Sequence, residues 1–171
     1  MKTMTRSNIY VAMAAMILTA AVAVAAAAQK QVPFKGAMQG HDTDTSTADP
    51  NIVVVTTSGT GIGTLLGQFS FTLENTVDLA AGTETGSAHF ITANGDTLDA
   101  TIVGSGELTP TPDVVSITEI CTITGGTGRF AGAQGSFNVE RLASPVTFMT
   151  SGSFDGTITS PGEAHAEADE D

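Results

Sequence analysis

Alternation of apolar and polar residues, repeated in short runs along most of the chain, is the feature that most limits its fold. In the run QFSFTLENTV, residues 68–77, Phe69, Phe71 and Leu73 occupy every second position. Side chains of a β-strand point alternately to its two faces, so this run has one apolar face. Similar runs recur about every 10 to 15 residues between Gly, Asn, Asp and Pro. This spacing predicts an antiparallel sandwich or barrel.

Eight strands are predicted after residue 28, and no stretch there repeats apolar residues at helical spacing. Residues 41–50, HDTDTSTADP, are predicted as a flexible acidic loop between the first two strands. Residues 59–67, GTGIGTLLG, are predicted as a glycine-rich turn after the second. The predicted strands are Val32–Gly40, Asn51–Ser58, Gln68–Val77, Thr85–Thr92, Thr97–Gly106, Asp113–Thr124, Gly135–Leu142 and Val146–Thr159.

The fourth and fifth strands are joined by Ala-Asn-Gly-Asp, residues 93–96. Asn-Gly is a strong hairpin signal, because both central positions of a type I′ turn need a positive φ angle. The period of two then places Leu98, Ala100 and Ile102 on the inner face. In the eighth strand the apolar residues in phase are Val146, Phe148, Phe154 and Ile158.

The first 28 residues have the pattern of an export signal. Lys2 and Arg6 precede an uncharged run from Ile9 to Ala28, which ends in small residues suited to signal peptidase. The alternative is an uncleaved membrane anchor, since about 20 uncharged residues could span a bilayer. Many of these residues are alanines, which favours cleavage near Ala28 and a secreted or periplasmic protein. The domain is then 29–159, followed by a disordered acidic tail over 160–171.

The amino-acid composition limits the classes of partner that the protein can bind. Six basic residues stand against 18 acidic ones, giving a net charge of −12, and loss of Lys2 and Arg6 with the signal would make it more negative. Such a chain lacks the positive charge that binds nucleic acid or anionic membranes. The single cysteine, Cys121, excludes an intramolecular disulfide. It lies in phase with apolar neighbours, so it is predicted to be a buried apolar residue and not a nucleophile.

The stretch ITGGTGRFAGAQGSF, Ile123–Phe137, formally contains a dinucleotide-binding fingerprint, Gly126-x-Gly128-x-x-Ala131. That fingerprint needs a following helix to receive the pyrophosphate, whereas the residues after it read as a glycine-rich strand. The stretch is therefore predicted to be the hairpin between strands six and seven. Phe130 would fold back onto the barrel end, and Arg129 would be a solvated turn residue.

The same stretch, continued to Phe154, carries the pattern Ile-Thr-Gly-Gly-x-Gly-x-Phe-x-Gly-Ala-x-Gly, followed by a leucine and a proline. This pattern resembles the barrel segment of the allene oxide cyclase and dirigent superfamily. The matching positions are Ile123, Thr124, Gly125, Gly126, Gly128, Phe130, Gly132, Ala133, Gly135, Leu142 and Pro145.

The resemblance implies an eight-stranded antiparallel, calycin-like barrel with a pocket at one end, and assembly into dimers or trimers. The rest of the chain resembles, in its general sequence pattern, exported bacterial members of the superfamily that have no settled function. The plant cyclases use a Glu and an Asn of the first strand, and VPFKGAMQGHDTD, residues 32–44, has neither. The acidic pocket residues of dirigent proteins also find no matching position, so the resemblance implies a fold and no activity.

Glu119 is the most unusual polar residue of the predicted strands. It shares its parity with Val115, Ile117 and Cys121, so on an unbroken strand its carboxylate points into the barrel. Burial would raise its pKa unless a cation or donors met it, which makes it a candidate catalytic or ligand-binding residue. Two alternatives are a bulge that turns Glu119 outward, and a structural role satisfied by Thr and backbone groups.

Two further ligand-binding candidates are Arg141, in phase with Phe137, and Phe148. In the simplest register of the hairpin, Glu119 lies opposite about Ser136, so Glu119 and Arg141 are not expected to be direct partners. The face of His89 is ambiguous from its neighbours.

No His or Cys pair has the spacing of a zinc site, and no cofactor motif is found. Asp42, Asp44 and Asp49 lack the glycine and terminal glutamate of a calcium loop. Three hypotheses follow. The chain is a barrel that binds a small apolar or amphipathic ligand in its open end, a cyclase or isomerase that uses Glu119 in the same pocket, or a solid barrel that acts through its outer face.

Overall fold

The computed structural model describes residues 29–159 and 161. They form eight antiparallel strands and one short 3₁₀ helix between the sixth and seventh, with no α-helix in the described part. The strands are β1 Gln31–Ser46, β2 Ile52–Gly63, β3 Gly67–Asp78, β4 Thr83–Thr92, β5 Thr97–Leu108, β6 Val115–Gly126, β7 Gly135–Ala143 and β8 Met149–Thr159. The predicted signal sequence and nearly all of the predicted tail lie outside the described residues.

Each strand pairs with the next along the chain, and the first pairs with the last. In that closing pair Gln31 lies opposite Thr159 and His41 opposite Met149. The predicted eight-stranded antiparallel barrel is therefore confirmed. Closure satisfies both edges of the sheet, so every strand has two hydrogen-bonded neighbours.

Two predicted connections are shorter than expected, because their first residues belong to strands. β1 continues to Ser46, and residues 41–46 pair with Val53–Ser58 of β2, so the predicted acidic loop begins only at Thr47. β2 continues to Gly63, with Gly61 paired to Phe69. Turn-forming composition was misleading in both places, because neighbouring strands supply the ladder partners that override weak β-propensity.

Two other turn predictions were wrong in detail. In the β4–β5 hairpin only Gly95 has a positive φ angle, so the turn is not type I′. The Gly95 amide donates a hydrogen bond to the Thr92 carbonyl, and the Thr92 amide donates one to the Asp96 carbonyl. At the other end of the barrel β8 starts at Met149, and Val146 is exposed in the preceding turn.

The barrel interior has a filled half, at the end where the chain enters β1. Its inner faces include the predicted residues of β3 and β5, all buried. Phe34 packs against Phe137 and Phe154 at ring-centroid distances of 5.1 and 4.9 Å, and Phe69 packs against Phe90 at 5.6 Å. An eight-stranded barrel is just wide enough for side chains to fill it, and these rings do so.

Inward-facing glycines make room for the rings. A Cβ atom on Gly36 would collide with the ring of Phe154, and one on Gly61 with the ring of Phe69. Gly156 lies against the backbone of Ser136 and Phe137 in the same way. Glycines opposite phenylalanines therefore allow close packing in this half of the barrel.

The glycine-rich stretch joins β6 and β7, as predicted. Phe130 lies in the 3₁₀ turn Gly128–Phe130, is 1 % exposed and belongs to the core of the filled half. Gly125, Gly128 and Gly132 have positive φ angles. Arg129 remains partly exposed over the Phe130 ring and close to Asp96, 3.4 Å from its carboxylate.

The packing of Gly156 gives a test of this arrangement. We expect Gly156→Ala to lower the free energy of unfolding by about 2 kcal/mol or more, because the new Cβ meets backbone atoms that cannot move aside. Gly106→Ala is the matched control, since its Cβ would lie 3.4 Å from Val115, an ordinary contact. Urea denaturation of both variants measures the difference. Equal stability of the two variants would contradict the packing argument.

Candidate functional site

The other half of the barrel is open and contains a cavity of about 380 Å³. It lies at the end formed by the β1–β2, β3–β4, β5–β6 and β7–β8 connections. Its rim includes Leu79, Leu108, Pro145 and Phe148. Its wall is mainly apolar and includes Val53, Val55, Val77, Val115, Ile117 and Ala143. A cavity of this size is at the lower end of the range of ligand pockets, so it would take a small molecule.

Between the cavity and the phenylalanines lies a polar cluster, which we define as Asn75, Glu84, Glu119, Arg141 and Thr150. Glu119 is fully buried and points inward, as an unbroken strand predicts. The only register shift between β5 and β6 lies between Asp99 and Ala100, away from Glu119, so a bulge does not turn it outward.

Glu119 and Arg141 form a buried ion pair. Arg141 Nε donates to Glu119 Oε2 at 3.2 Å, and Nη2 donates to Oε1 at 3.1 Å. Arg141 Nη1 donates to Thr150 Oγ1 at 3.4 Å, and Asn75 Nδ2 donates to Glu119 Oε1 at 3.1 Å. The partners of Glu119 are therefore an arginine and an amide, and not the Thr and backbone groups considered above. A two-pronged contact of this kind holds both side chains in a fixed geometry.

The prediction that Glu119 and Arg141 are not partners was wrong. Glu119 lies opposite Val139 and not Ser136, so Arg141 is its diagonal neighbour on the inner face. The error came from assuming a tight turn. The connection occupies residues 127–134, because the 3₁₀ turn inserts Phe130 into the core.

Glu84 is a second buried carboxylate that the sequence reasoning missed. It starts the inner face of β4 and shares its parity with Ala88 and Phe90, which is a signal that could have revealed it. Its Oε2 accepts from Asn75 Nδ2 at 3.0 Å and lies 3.7 Å from Arg141 Nη2. Its Oε1 has no hydrogen-bond partner among the described residues.

Burial, followed by the charge of Glu119, raises the pKa of Glu84 to about 7. Arg141 opposes this rise but is already engaged by Glu119. Burial also opposes the charge of Arg141, but its contacts with Glu119 and the charge of Glu84 outweigh that effect and raise the pKa of Arg141. The cluster therefore holds a permanent guanidinium beside a carboxyl group that changes charge near neutral pH.

β1 adds two carboxylates to the cavity, where a flexible loop was predicted. Asp42 is buried and accepts a 2.6 Å hydrogen bond from the hydroxyl of Thr57. Asp44 lines the cavity nearer the rim, where partial burial and then the charge of Asp42 raise its pKa. Asp49 is exposed in the β1–β2 turn. Asp42 and Asp44 face inward because they continue the alternation of Met38 in a strand that the composition concealed.

The remaining candidates lie elsewhere or at the rim. Phe148 lines the cavity, with a positive φ angle in the β7–β8 turn. His89 is on the outer face of β4, 2.6 Å from Asp99. Cys121 is buried, and burial together with the charges of Glu119 and Glu84 raises the pKa of its thiol. Across the described ranges no group of His, Cys, Asp and Glu is arranged to hold a metal ion.

Comparison with protein-family models, with curated protein sequences and with solved structures gives no match to this chain. The resemblance to the allene oxide cyclase and dirigent superfamily therefore stays a prediction from the glycine-rich stretch. Among residues 29–159 and 161, no helix has the length and hydrophobicity of a membrane-spanning segment.

The ion pair can be tested by breaking it from one side. We expect Arg141→Met to lower the free energy of unfolding by about 3 to 5 kcal/mol, because it leaves Glu119 buried without its cation. The double variant Glu119→Leu with Arg141→Met should be more stable than Arg141→Met, since both charges are gone. Denaturant unfolding measures both, and Arg129→Met at the exposed turn is the control. A loss below about 1 kcal/mol in Arg141→Met would show that the pair is not buried as described.

The raised pKa of Glu84 makes stability depend on pH. Its ordinary value of 4.5 applies to the unfolded chain, so between about pH 4.5 and 7 the folded protein holds a proton that the unfolded chain has lost. The contribution of Glu84 to stability is thus present at low pH and lost as the pH rises to 7.

We therefore expect the stability of the wild type relative to Glu84→Gln to fall by about 3 kcal/mol between pH 4 and pH 8, since the pKa rises from 4.5 to about 7 and one pKa unit corresponds to about 1.4 kcal/mol. Urea titrations at several pH values measure this difference. Glu140→Gln, on the outer face of β7, reports the effect of removing a surface carboxylate. A difference that stays constant with pH would contradict the raised pKa.

Proposed function

We propose that this protein is an exported β-barrel that binds a small amphipathic molecule in the open half of the barrel. The observation that supports this best is the cavity of about 380 Å³, with apolar walls above and charged groups at its inner end. Apolar walls favour the removal of a hydrocarbon surface from water. The charged groups at the base would be poorly matched to a purely apolar ligand, which could not replace their water contacts.

The filled half of the barrel supports the location of the proposed site. The rings around Phe34 and Phe137 leave the ligand no room there, so the binding surface is the valine-rich half and the polar cluster beneath it. The inward phenylalanines form the packed core beneath the cavity. We further propose export to the periplasm or the cell exterior, directed by residues 1–28, and membership of the superfamily that the glycine-rich stretch resembles, including its assembly into oligomers.

A second candidate function is that of a cyclase or isomerase acting on a small organic substrate in the same cavity. The observation that favours it is Glu84, a buried carboxyl group with a pKa of about 7 that lines the cavity. A general acid or base works best when its pKa is close to the working pH. Glu119 is less suited to this role, because both of its oxygens accept hydrogen bonds from Arg141. Turnover that survives in Glu84→Gln would exclude this mechanism.

Binding can be tested with hexanol, which has a short hydrocarbon chain and a neutral polar end. We expect saturable shifts of backbone amide NMR signals in residues that line the cavity, and none around Phe34 in the filled half. Ala143→Phe should weaken binding at least about tenfold, because the new ring would occupy the cavity. Leu142→Phe is the matched control, since this neighbour is on the outer face and 52 % exposed.

Two results would count against the proposal. Shifts scattered over the outer face, with equal affinity in Ala143→Phe and Leu142→Phe, would show only non-specific association. An absence of saturable shifts with hexanol, and also with hexylammonium and hexanoate, would show that the cavity does not bind small amphipathic molecules.

A further inference from the structure

The cavity contains far more negative than positive charge. Among residues 29–159 and 161, Asp42, Asp44 and Glu84 line it together with one cation, Arg141, and Glu119 lies directly beneath. Asp78, at the rim, is occupied by the backbone, since its Oδ1 accepts from the amides of Ala80 and Ala81. An amphipathic ligand that enters this site meets carboxylates at its polar end.

Arg141 neutralises these carboxylates only in part, because Glu119 makes the closest contacts with its guanidinium. Two of its nitrogen atoms donate to Glu119 and the third donates to Thr150, while its nearest approach to Glu84 is 3.7 Å. Within the described residues no salt bridge reaches Asp42 or Asp44. The negative charge that Arg141 does not balance is left for a ligand or for solvent ions.

Glu84 supplies the independent observation that points to a ligand. Its side chain is 6 % exposed and lines the cavity, and its Oε1 has no hydrogen-bond partner among the described residues. A buried carboxylate oxygen without a donor is destabilising, because it has lost water and gained no partner. Oε1 itself is buried beside Gly104, so a donor carried by a ligand would satisfy it once the Glu84 side chain turned toward the cavity.

We infer that the ligand of this cavity is a small organic cation, with an ammonium group directed to the carboxylates of Glu84 and Asp42 and a hydrocarbon part against the valine-rich wall. This inference rests on the proposed function and adds the class of ligand to it. An ammonium group carries up to three N–H donors and accepts no hydrogen bond, so it matches a site of carboxylate acceptors. A carboxylate or phosphate head would be repelled by the same groups.

The affinity for a cation should depend on pH. A cation binds best when Glu84 is ionised, so affinity rises as the pH passes through neutrality. The groups that face Glu84 in this region are Asn75 of β3, which does not titrate, Glu119 of β6, Arg141 of β7, and Asp42 and Asp44 across the cavity on β1. Of these neighbours only Arg141 is cationic, and it stays charged throughout the neutral range.

The test compares three probes with the same hydrocarbon chain: hexylammonium, hexanol and hexanoate. At pH 8 and moderate salt we expect hexylammonium to bind at least about tenfold more tightly than hexanol, by analogy with other charge-assisted hydrogen bonds, and hexanoate more weakly than both. Isothermal titration gives the affinities, and amide NMR shifts locate the probe. The advantage of hexylammonium should shrink severalfold at pH 5.5, whereas the affinity of hexanol should not change.

Two variants identify the groups that contact the head. Glu84→Gln and Asp42→Asn should each remove most of the difference in affinity between hexylammonium and hexanol. Glu140→Gln on the outer face is the matched control for attraction of a cation to an acidic protein, and should leave the difference intact. The pH comparison uses the wild type, so it tests the inference even if a variant does not fold.

The possible results are distinguishable. Equal affinities for hexylammonium and hexanol would overturn the inference about the charge of the ligand and leave the binding function standing. Tighter binding of hexanoate would also overturn it, and would identify Arg141 as the contact for the head group. If none of the three probes shows saturable binding in the cavity, the proposed function fails and this inference fails with it.

Discussion

The ion pair between Glu119 and Arg141 marks the level at which the barrel interior changes from filled to open. On one side of it lie the packed phenylalanines, and on the other the cavity. Two charges can remain in such a place only when each meets the other with good geometry and the remaining donors and acceptors find partners. Asn75 and Thr150 provide those partners, so the pair connects β3, β6, β7 and β8 through side chains as well as through the sheet.

The same ion pair explains why the cavity is acidic. Arg141 makes its two hydrogen bonds to a carboxylate with Glu119, and the other carboxylates have no equivalent partner. The charge that matters for a ligand is therefore local. The net charge of −12 of the whole chain affects solubility and long-range attraction. Glu84 and Asp42 are the groups that the polar end of a bound molecule would contact.

Much of the fold could be predicted because a period of two in residues such as Phe69, Phe71 and Leu73 has only one structural interpretation. The inward position of Glu119 followed from the same rule. The partners of Glu119 could not be found in that way, since they depend on the register across a hairpin, and the register depends on how many residues the 3₁₀ turn at Phe130 consumes.

The carboxylates of β1 and β4 were missed for a related reason. Asp42 and Asp44 lie in a run of Asp and Thr that resembles a loop until its pairing with β2 is known. Glu84 precedes the clearest part of its strand. In each case the local composition predicted a solvent-exposed loop, whereas pairing with the neighbouring strand stabilises an extended conformation.

The pairing of β1 with β8 has a consequence for how the chain folds. Gln31 hydrogen-bonds to Thr159, a partner 128 residues away, and the sheet keeps two unpaired edges until that strand is present. Contacts between such distant parts of a chain form slowly, because a long loop must close first. A polypeptide emerging from the ribosome therefore cannot complete this barrel until its last strand has been synthesised, and it stays in a form that can still be threaded or bound by other proteins for that whole time.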